Sequence, residues 1–413
     1  MKKTIDVHPR LKNILRPFYH LAVKLYHHIK NRQNPLPVQT ITSDKKIIYF
    51  DITSHAVSDV KTGIQRVVAK FLEYLDKTAG DSYDIVCISG LDGYHVIEKE
   101  TFCPRNDLKL APGDGDIYLS IDLNPVQPYE YWDTLQAWQA NGCRLIACVY
   151  DLVYIKYPEY VASNYAVRLL SRWLKFAADK FDGLLCISAT IENELLAWIS
   201  DSHIHNGKLK TAYFHLGGDF IHASEQLKNP VSVFFEQVYK NKPLTFIAVG
   251  TIEPRKGYAE LVDAFEELAK ENIDAVLLIV GRTGWKYEEI VKKITASECY
   301  NRTVFWFSDC EDNLLEILYQ VADCYISGSY YEGFGLGITE ASGKGLPVLL
   351  RDIPVNREVS ENKGLYFKDA MDLAAVIKKA VQNTDLLREQ KRIHVLSWEE
   401  SVAMAWKSIQ RMV

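Results

Sequence analysis

Residues 328–347, GSYYEGFGLGITEASGKGLP, hold two carboxylates, Glu332 and Glu340, eight positions apart across a glycine-punctuated turn. The run before it, Asp323 to Ser327, reads as a buried parallel strand, and Leu336 to Gly345 reads as a helix. Gly333, Gly335 and Gly337 carry no Cβ and tolerate unusual dihedrals, which frees the backbone to approach a ligand. A loop opening into a helix N-terminus presents unpaired N–H groups and a partial positive charge, which suits a phosphate. Glu332 then falls in the loop and Glu340 on the first turns of the helix. Carboxylates beside an anion site accept hydrogen bonds from hydroxyls, and the combination points to a sugar nucleotide. A plain strand–loop–helix connection with solvated glutamates is the competing reading.

Three further segments carry the same kind of signal. Val249-Gly-Thr-Ile-Glu-Pro-Arg-Lys-Gly257 leaves a predicted strand at 244–250 and enters a predicted helix at 257–270. Two adjacent cations there, Arg255 and Lys256, are poorly compensated unless an anion docks. A leaving diphosphate fits, because neutralising its developing charge lowers the barrier to breaking the sugar C1–O bond. Thr62-Gly-Ile-Gln65 is a capping-box pattern that starts a helix over 62–78 beside the end of strand 46–52. Gly63 there either passes close to a ligand or serves the cap alone. Tyr150-Asp151 ends strand 143–150, where Asp151 is either an acceptor-side carboxylate or a cap for the next segment.

The E-x7-E spacing, the segments at 249–257, 62–68 and 150–153, and Gly345-Leu-Pro-Val348 together resemble the retaining glycosyltransferases of family 4 (group 1), over roughly residues 46–410. The resemblance implies an α/β fold of GT-B architecture: two facing doubly wound Rossmann-like domains with a C-terminal helix crossing back. It implies a nucleotide diphosphate sugar as donor, no cofactor, and a glycan or lipid-linked oligosaccharide as acceptor. Glu332 is then expected on the donor sugar hydroxyls, Glu340 on the nucleotide ribose and Arg255 with Lys256 on the diphosphate. Gly63, Gly333, Phe334, Gly335 and Leu336 are expected beside the donor, and Ser308 with Asp309 near the base. Arg66 occupies the family's usual arginine position, while Tyr150 stands where the family has histidine, so Asp151 is the stronger acceptor-side candidate. The sequences TGIQRV and EPRK most resemble bacterial mannosyltransferases of surface polysaccharide synthesis (O-antigen, capsule or exopolysaccharide), which makes GDP-mannose the first expected donor. The alternatives are an inactive scaffold that binds nucleotide sugars and a GT-B-type sugar-nucleotide epimerase. Asp114-Gly-Asp116 has the D-x-D form that holds a metal in the GT-A fold, but PGDGDIYL reads as a tight turn into a strand. No required metal is expected.

A length of 413 residues with 48% hydrophobic content suits two domains. Eight cysteines without C-x-x-C pairing read as reduced residues of a cytoplasmic protein. No stretch resembles a signal peptide or a membrane span. Charge is uneven: residues 1–33 carry eight Lys/Arg and one acid, a balance of +7, leaving −12 on the remainder of a chain whose total is −5. Leu11, Ile14, Leu15, Phe18, Ala22, Leu25 and Ile29 recur at helical spacing in this arm. Such a helix either lies on an anionic membrane at the inner face of the cytoplasmic membrane or docks on its own domain. The acidic remainder argues against nucleic acid, and the oligomeric state is not legible. The domains are placed at 1–45 (arm and linker), 46–235 (acceptor side), 236–395 (nucleotide-sugar side) and 396–413 (returning helix).

Overall fold

The computed structural model describes residues 39–57, 62–91, 93–99, 101–218 and 243–413. The arm at 1–33, the first part of the linker, Asp92 and the inter-domain boundary between 235 and 236 lie outside the described residues.

Two open sheets form the frame. The first holds β1 (Lys46–Asp51), β2 (Tyr83–Ser89), β3 (His95–Val96), β4 (Ile117–Ser120), β5 (Arg144–Val149), β6 (Gly183–Cys186) and β7 (Lys210–Tyr213), in the order β3-β2-β1-β4-β5-β6-β7. The second holds β8 (Leu244–Val249), β9 (Ala275–Val280), β10 (Val304–Phe307), β11 (Cys324–Ser327), β12 (Val348–Arg351) and β13 (Leu365–Phe367), in the order β10-β9-β8-β11-β12-β13. All neighbours are parallel except β2 and β3, which pair antiparallel. Helices cover both faces of a parallel sheet, so its strands are apolar runs without alternation. The run from Ile47 to Phe50 and the run from Ala275 to Val280 are buried throughout.

Each sheet reverses its winding once, between β1 and β4 and between β8 and β11. Ligands of open parallel sheets sit outside the carboxyl ends of the strands at such points. The loops that follow β8 and β11 carry the EPRK sequence and Glu332.

Local sequence accounts for the helices that flank these loops. Thr62 caps α1 (Gly63–Ala79) with both hydrogen bonds of the capping box to Gln65 in place. Helices α2 (Asn164–Lys180) and α3 (Ala189–Asp201) follow β5 and β6, capped by Ser163 and Ser188. Gly257 takes φ 69° at the start of α4 (Tyr258–Lys270), and a Cβ there would meet the Gly328 carbonyl at 2.1 Å. The loops after β8 and β11 are thereby pressed together. The helix expected at 336–345 stops at Gly343 (α5, Leu336–Gly343). Gly345 at φ 80° lets its own N–H reach Ser342 and the Leu346 N–H reach Ala341, a Schellman termination. Two short helices, Gln127–Glu130 and Trp132–Ala140, meet at Tyr131.

Two later helices connect the halves. Pro354–Val359 (α6) follows β12, and Trp398–Met412 (α7) returns to the first sheet. There the Ser408 hydroxyl donates to the Tyr213 carbonyl, the Ser401 hydroxyl donates to the His215 carbonyl, and Trp406 meets Tyr83 edge-on.

Candidate active site

The loop after β8 folds as a single 3-10 turn, Pro254–Lys256, that turns Arg255 and Lys256 toward the loop after β11. The backbone hydrogen bond from Tyr330 N to the Arg255 carbonyl, 2.8 Å, fixes the two loops in register. Arg255 Nη1 then donates to Glu332 Oε2 at 2.8 Å and Lys256 Nζ to Oε1 at 2.5 Å, while the Ser329 hydroxyl donates to Oε1 at 2.7 Å. On its other side Arg255 Nε lies 2.6 Å from Glu253 Oε1.

The two cations are therefore compensated by protein carboxylates, contrary to the expectation that only a docked anion would balance them. Burial acts to raise the Glu332 carboxyl, but Lys256 and then Arg255 outweigh it and hold the group down at about 2. Burial also acts to lower the Arg255 guanidinium, yet Glu332, Glu253 and Asp151 keep it above its ordinary value. Arg255 is thus a permanent charge, and Glu332 a permanent carboxylate, across the whole neutral range.

Glu340 forms a second charged contact, this one between the halves. It projects from α5, is 6% exposed, and pairs with Arg66 of α1. The Tyr319 hydroxyl lies 3.3 Å from its other oxygen. Burial raises the Glu340 carboxyl, with Arg66 opposing. Gly63, one turn before Arg66, faces Leu336 at the start of α5; a Cβ on Gly63 would stand 3.4 Å from Leu336 Cδ1.

Asp151 approaches from the first sheet, directly after β5, and its Oδ1 accepts from Val153 N at 3.2 Å. The contact is the capping interaction set against a ligand role above. Asp151 also lies within the electrostatic reach of Arg255, Glu332 and Lys256, and burial raises its carboxyl against the pull of Arg255. Tyr150 is committed elsewhere, because its hydroxyl donates to the Ile121 carbonyl at 2.7 Å. It therefore does not replace the family's histidine as a ligand donor.

The glycines of the loop also differ from expectation. A Cβ on Gly333 would meet the Tyr150 carbonyl at 2.0 Å, and one on Gly337 the Tyr325 hydroxyl at 2.2 Å. Both close approaches are to protein atoms. Gly335, at φ 95°, is the N-cap of α5. Phe334 is buried with its ring 5.5 Å from that of His215, so its side chain is core and only its backbone faces the loop. Ser308 and Asp309 follow β10, two strands from β8, and Asp309 is a largely exposed side chain 3.9 Å from Arg282. These two are not part of the Glu332 cluster.

Several contributors had no sequence signal of their own. Glu253 and Ser329 complete the charge and hydrogen-bond balance of the cluster, although each lies within three residues of a residue that was recognised. Glu358 of α6 crosses to the first half, where its oxygens accept from Ala189 N (2.7 Å), Thr190 N (2.8 Å), the Thr190 hydroxyl and His215 Nε2 (2.7 Å). Asp116 accepts from Ile47 N and Gly113 N, both at 2.8 Å, and is turn chemistry. No group of three or more potential metal-ligating side chains occurs among the described residues. None of the described helices is long and apolar enough to cross a membrane.

The chain is also similar in sequence and in fold to known proteins. Residues 232–393 match the family described as glycosyl transferases group 1. The serotype-specific mannosyltransferase WbdA of Escherichia coli is 31% identical over 378 residues, covering 88% of this chain and 46% of that protein. The chain thus spans about half the length of the WbdA relatives it matches. Among solved structures, the sucrose-phosphate synthase of Thermosynechococcus elongatus superposes with a TM-score of 0.56 at 18% identity, over 89% of this chain and 95% of that one. HepE of Anabaena, solved with UDP-glucose, gives a TM-score of 0.56 at 15% identity over the same shares. The fold is that of the GT-B glycosyltransferases.

Proposed function

We propose that this chain, with its group 1 glycosyl transferase domain at residues 232–393, transfers a hexose from a nucleotide diphosphate sugar to a glycan or lipid-linked glycan acceptor, with retention at C1 and without a metal. The observation that carries the reading is the Arg255–Lys256–Glu332 cluster, which places two cations at the carboxyl end of β8 opposite Asp151 of the other sheet. The mannosyltransferase relative favours mannose as the hexose and GDP-mannose as the donor, for bacterial surface polysaccharide. The UDP-glucose complex of HepE favours a nucleotide sugar as donor.

Arg255 and Lys256 would exchange part of their contact with Glu332 for the incoming diphosphate, which delocalises its charge as the C1–O bond breaks. The Glu332 oxygens released by that exchange would turn to sugar hydroxyls. Glu340 would leave Arg66 for the ribose. The leaving phosphate would take the acceptor proton on the same face of the sugar, so the protein contributes charge stabilisation and alignment. Action at the inner face of the cytoplasmic membrane, through the basic arm, belongs to the same proposal. The test is incubation with a panel of nucleotide sugars, scoring nucleotide release with and without a lipid-linked acceptor. Release from GDP-mannose that requires acceptor is the expected result, and no acceptor-dependent release from any donor would refute the reading.

A further inference from the structure

Tyr331 precedes Glu332 and is 6% exposed. Its backbone carbonyl accepts from Arg255 Nη1 at 3.2 Å, on the cation side of the cleft. Its side chain reaches into the other half. There the phenol oxygen accepts from Leu152 N at 2.9 Å and donates to Glu194 Oε2 at 2.8 Å. Lys156 pairs with the second oxygen of Glu194, and its ammonium stands 5.9 Å from the Tyr331 ring centroid. The Tyr157 ring packs on Tyr331 with centroids 5.3 Å apart.

The chemistry of this spot needs a hydroxyl on a rigid arm. Leu152 is fully buried, so its N–H requires an acceptor, and the Glu194 oxygen that Lys156 does not hold accepts the phenol proton. A phenol satisfies both with one atom, and its ring has only two side-chain torsions to fix. Leu152 directly follows Asp151, and Tyr331 directly precedes Glu332. One side chain therefore joins the residue after the acceptor-side carboxylate to the residue before the donor-side carboxylate.

We propose that Tyr331 is a positioning residue that sets the separation between Asp151 and the Arg255–Lys256–Glu332 cluster by tying their two loops together through its hydroxyl. The inference rests on the transferase reading for its kinetic consequence, while the tie itself does not depend on it. The reacting groups of a two-substrate transfer come from opposite halves, so an error in their separation acts on the aligned state more than on binding of either substrate alone.

The test is Tyr331→Phe, which keeps the ring and removes the oxygen. A displacement of about 1 Å costs up to about a hundredfold in rate, so kcat is expected to fall roughly ten- to a hundredfold. Nucleoside diphosphate affinity and donor KM are expected to stay within about twofold, the split that marks loss of an interaction made in the aligned state. Amide exchange at Leu152, followed by mass spectrometry on the full chain, is expected to quicken at least about tenfold as its acceptor is lost. An unchanged kcat in the folded variant, or an equal loss of nucleotide affinity, overturns the positioning role. If Tyr331→Phe does not fold, Glu194→Ala replaces it with the same expected split between kcat and affinity, and absence of that split overturns the proposal. Should the unmodified protein transfer sugar from no donor, the transferase reading fails; Leu152 exchange then decides the tie alone, and equal exchange in both proteins refutes it.

Discussion

Arg255 and Glu332 stand 77 positions apart in the chain, and their side chains meet at 2.8 Å between the two loops that flank the winding reversal of the second sheet. The pair is largely withdrawn from solvent, with side-chain exposures of 17% and 11%. Lys256 completes it from the next position. A cluster so arranged holds both cations in neutralised form, which costs less than leaving two largely buried cations bare.

Lys256→Ala should lower turnover and nucleoside diphosphate affinity together. A hydrogen bond to a charged group contributes about 1.5–3 kcal/mol, so each quantity should fall by roughly ten- to a hundredfold. Steady-state kinetics and calorimetric titration of the folded variant check this. Unchanged values in both would remove Lys256 from the diphosphate site.

The two glutamates should separate by function. Glu340→Gln is expected to weaken free nucleotide and intact donor by similar factors, because both carry ribose. Glu332→Gln should spare free nucleotide and lower kcat by about tenfold or more, since the sugar loses its alignment for departure. Affinities for nucleotide and donor, measured side by side in each variant, test the division. Equal weakening of free nucleotide by both substitutions would contradict it.

Glu358 should contribute acid-sensitive stability. Burial acts to raise its carboxyl, but the hydrogen bonds from His215, Thr190 and Ala189 outweigh that and hold it at about 2, below the ordinary 4.5. A carboxyl depressed in the folded state stabilises it above the unfolded value, and the contribution disappears as pH falls through the folded value. The difference in unfolding free energy between the unmodified protein and Glu358→Gln should be about 1–2 kcal/mol above pH 5, the linkage value being reduced by solvent screening of the partly exposed carboxylate. It should shrink between about pH 4.5 and pH 2. Denaturant titrations of both proteins across that window measure it, and a pH-independent gap would show that the inter-domain contact is not carried by the charge.

Asp116 is expected to matter for folding more than for rate. Each of its oxygens accepts one backbone N–H, so Asp116→Asn should cost about 1–2 kcal/mol of stability while turnover stays within about twofold. Activity should also survive a strong chelator. Strict dependence on added manganese, lost in Asp116→Asn, would make Asp114-Gly-Asp116 a metal site instead.

Removing residues 1–33 should reduce sedimentation with anionic vesicles and leave transfer to a soluble acceptor analogue intact. Rising salt should weaken the same association in the full chain, because screening shortens the reach of the +7 excess. Equal partitioning of both forms would assign the arm to the protein's own fold.

The strands were legible because parallel strands covered on both faces must be continuous apolar runs. The expected 46–52, 143–150 and 244–250 correspond to Lys46–Asp51, Arg144–Val149 and Leu244–Val249. The Thr62–Gln65 capping box was equally plain, since both hydrogen bonds lie within four residues. Helix ends were less so. Gly345 was read as helical because its composition permits either state, and the Schellman bonds that end α5 at Gly343 depend on the path of the chain beyond it.

The sequence alone determined the main strands, the turn at Asp114-Gly-Asp116, and which carboxylates and cations follow which strands, because each of these is set by neighbours within a turn or a strand; the two doubly wound sheets were what the family resemblance implied. Only the tertiary structure decided their partners. That Arg255 and Lys256 are neutralised by Glu332 and that the Tyr150 phenol is spent on Ile121 follow from which strands lie side by side within each sheet, and that Glu340 faces Arg66 follows from how the two halves meet. The same packing leaves Gly333 no room for a Cβ, because the Tyr150 carbonyl of the other half already occupies the place where it would stand. Contacts of this kind join residues up to 274 positions apart, and no local pattern of residue types encodes which distant group will arrive.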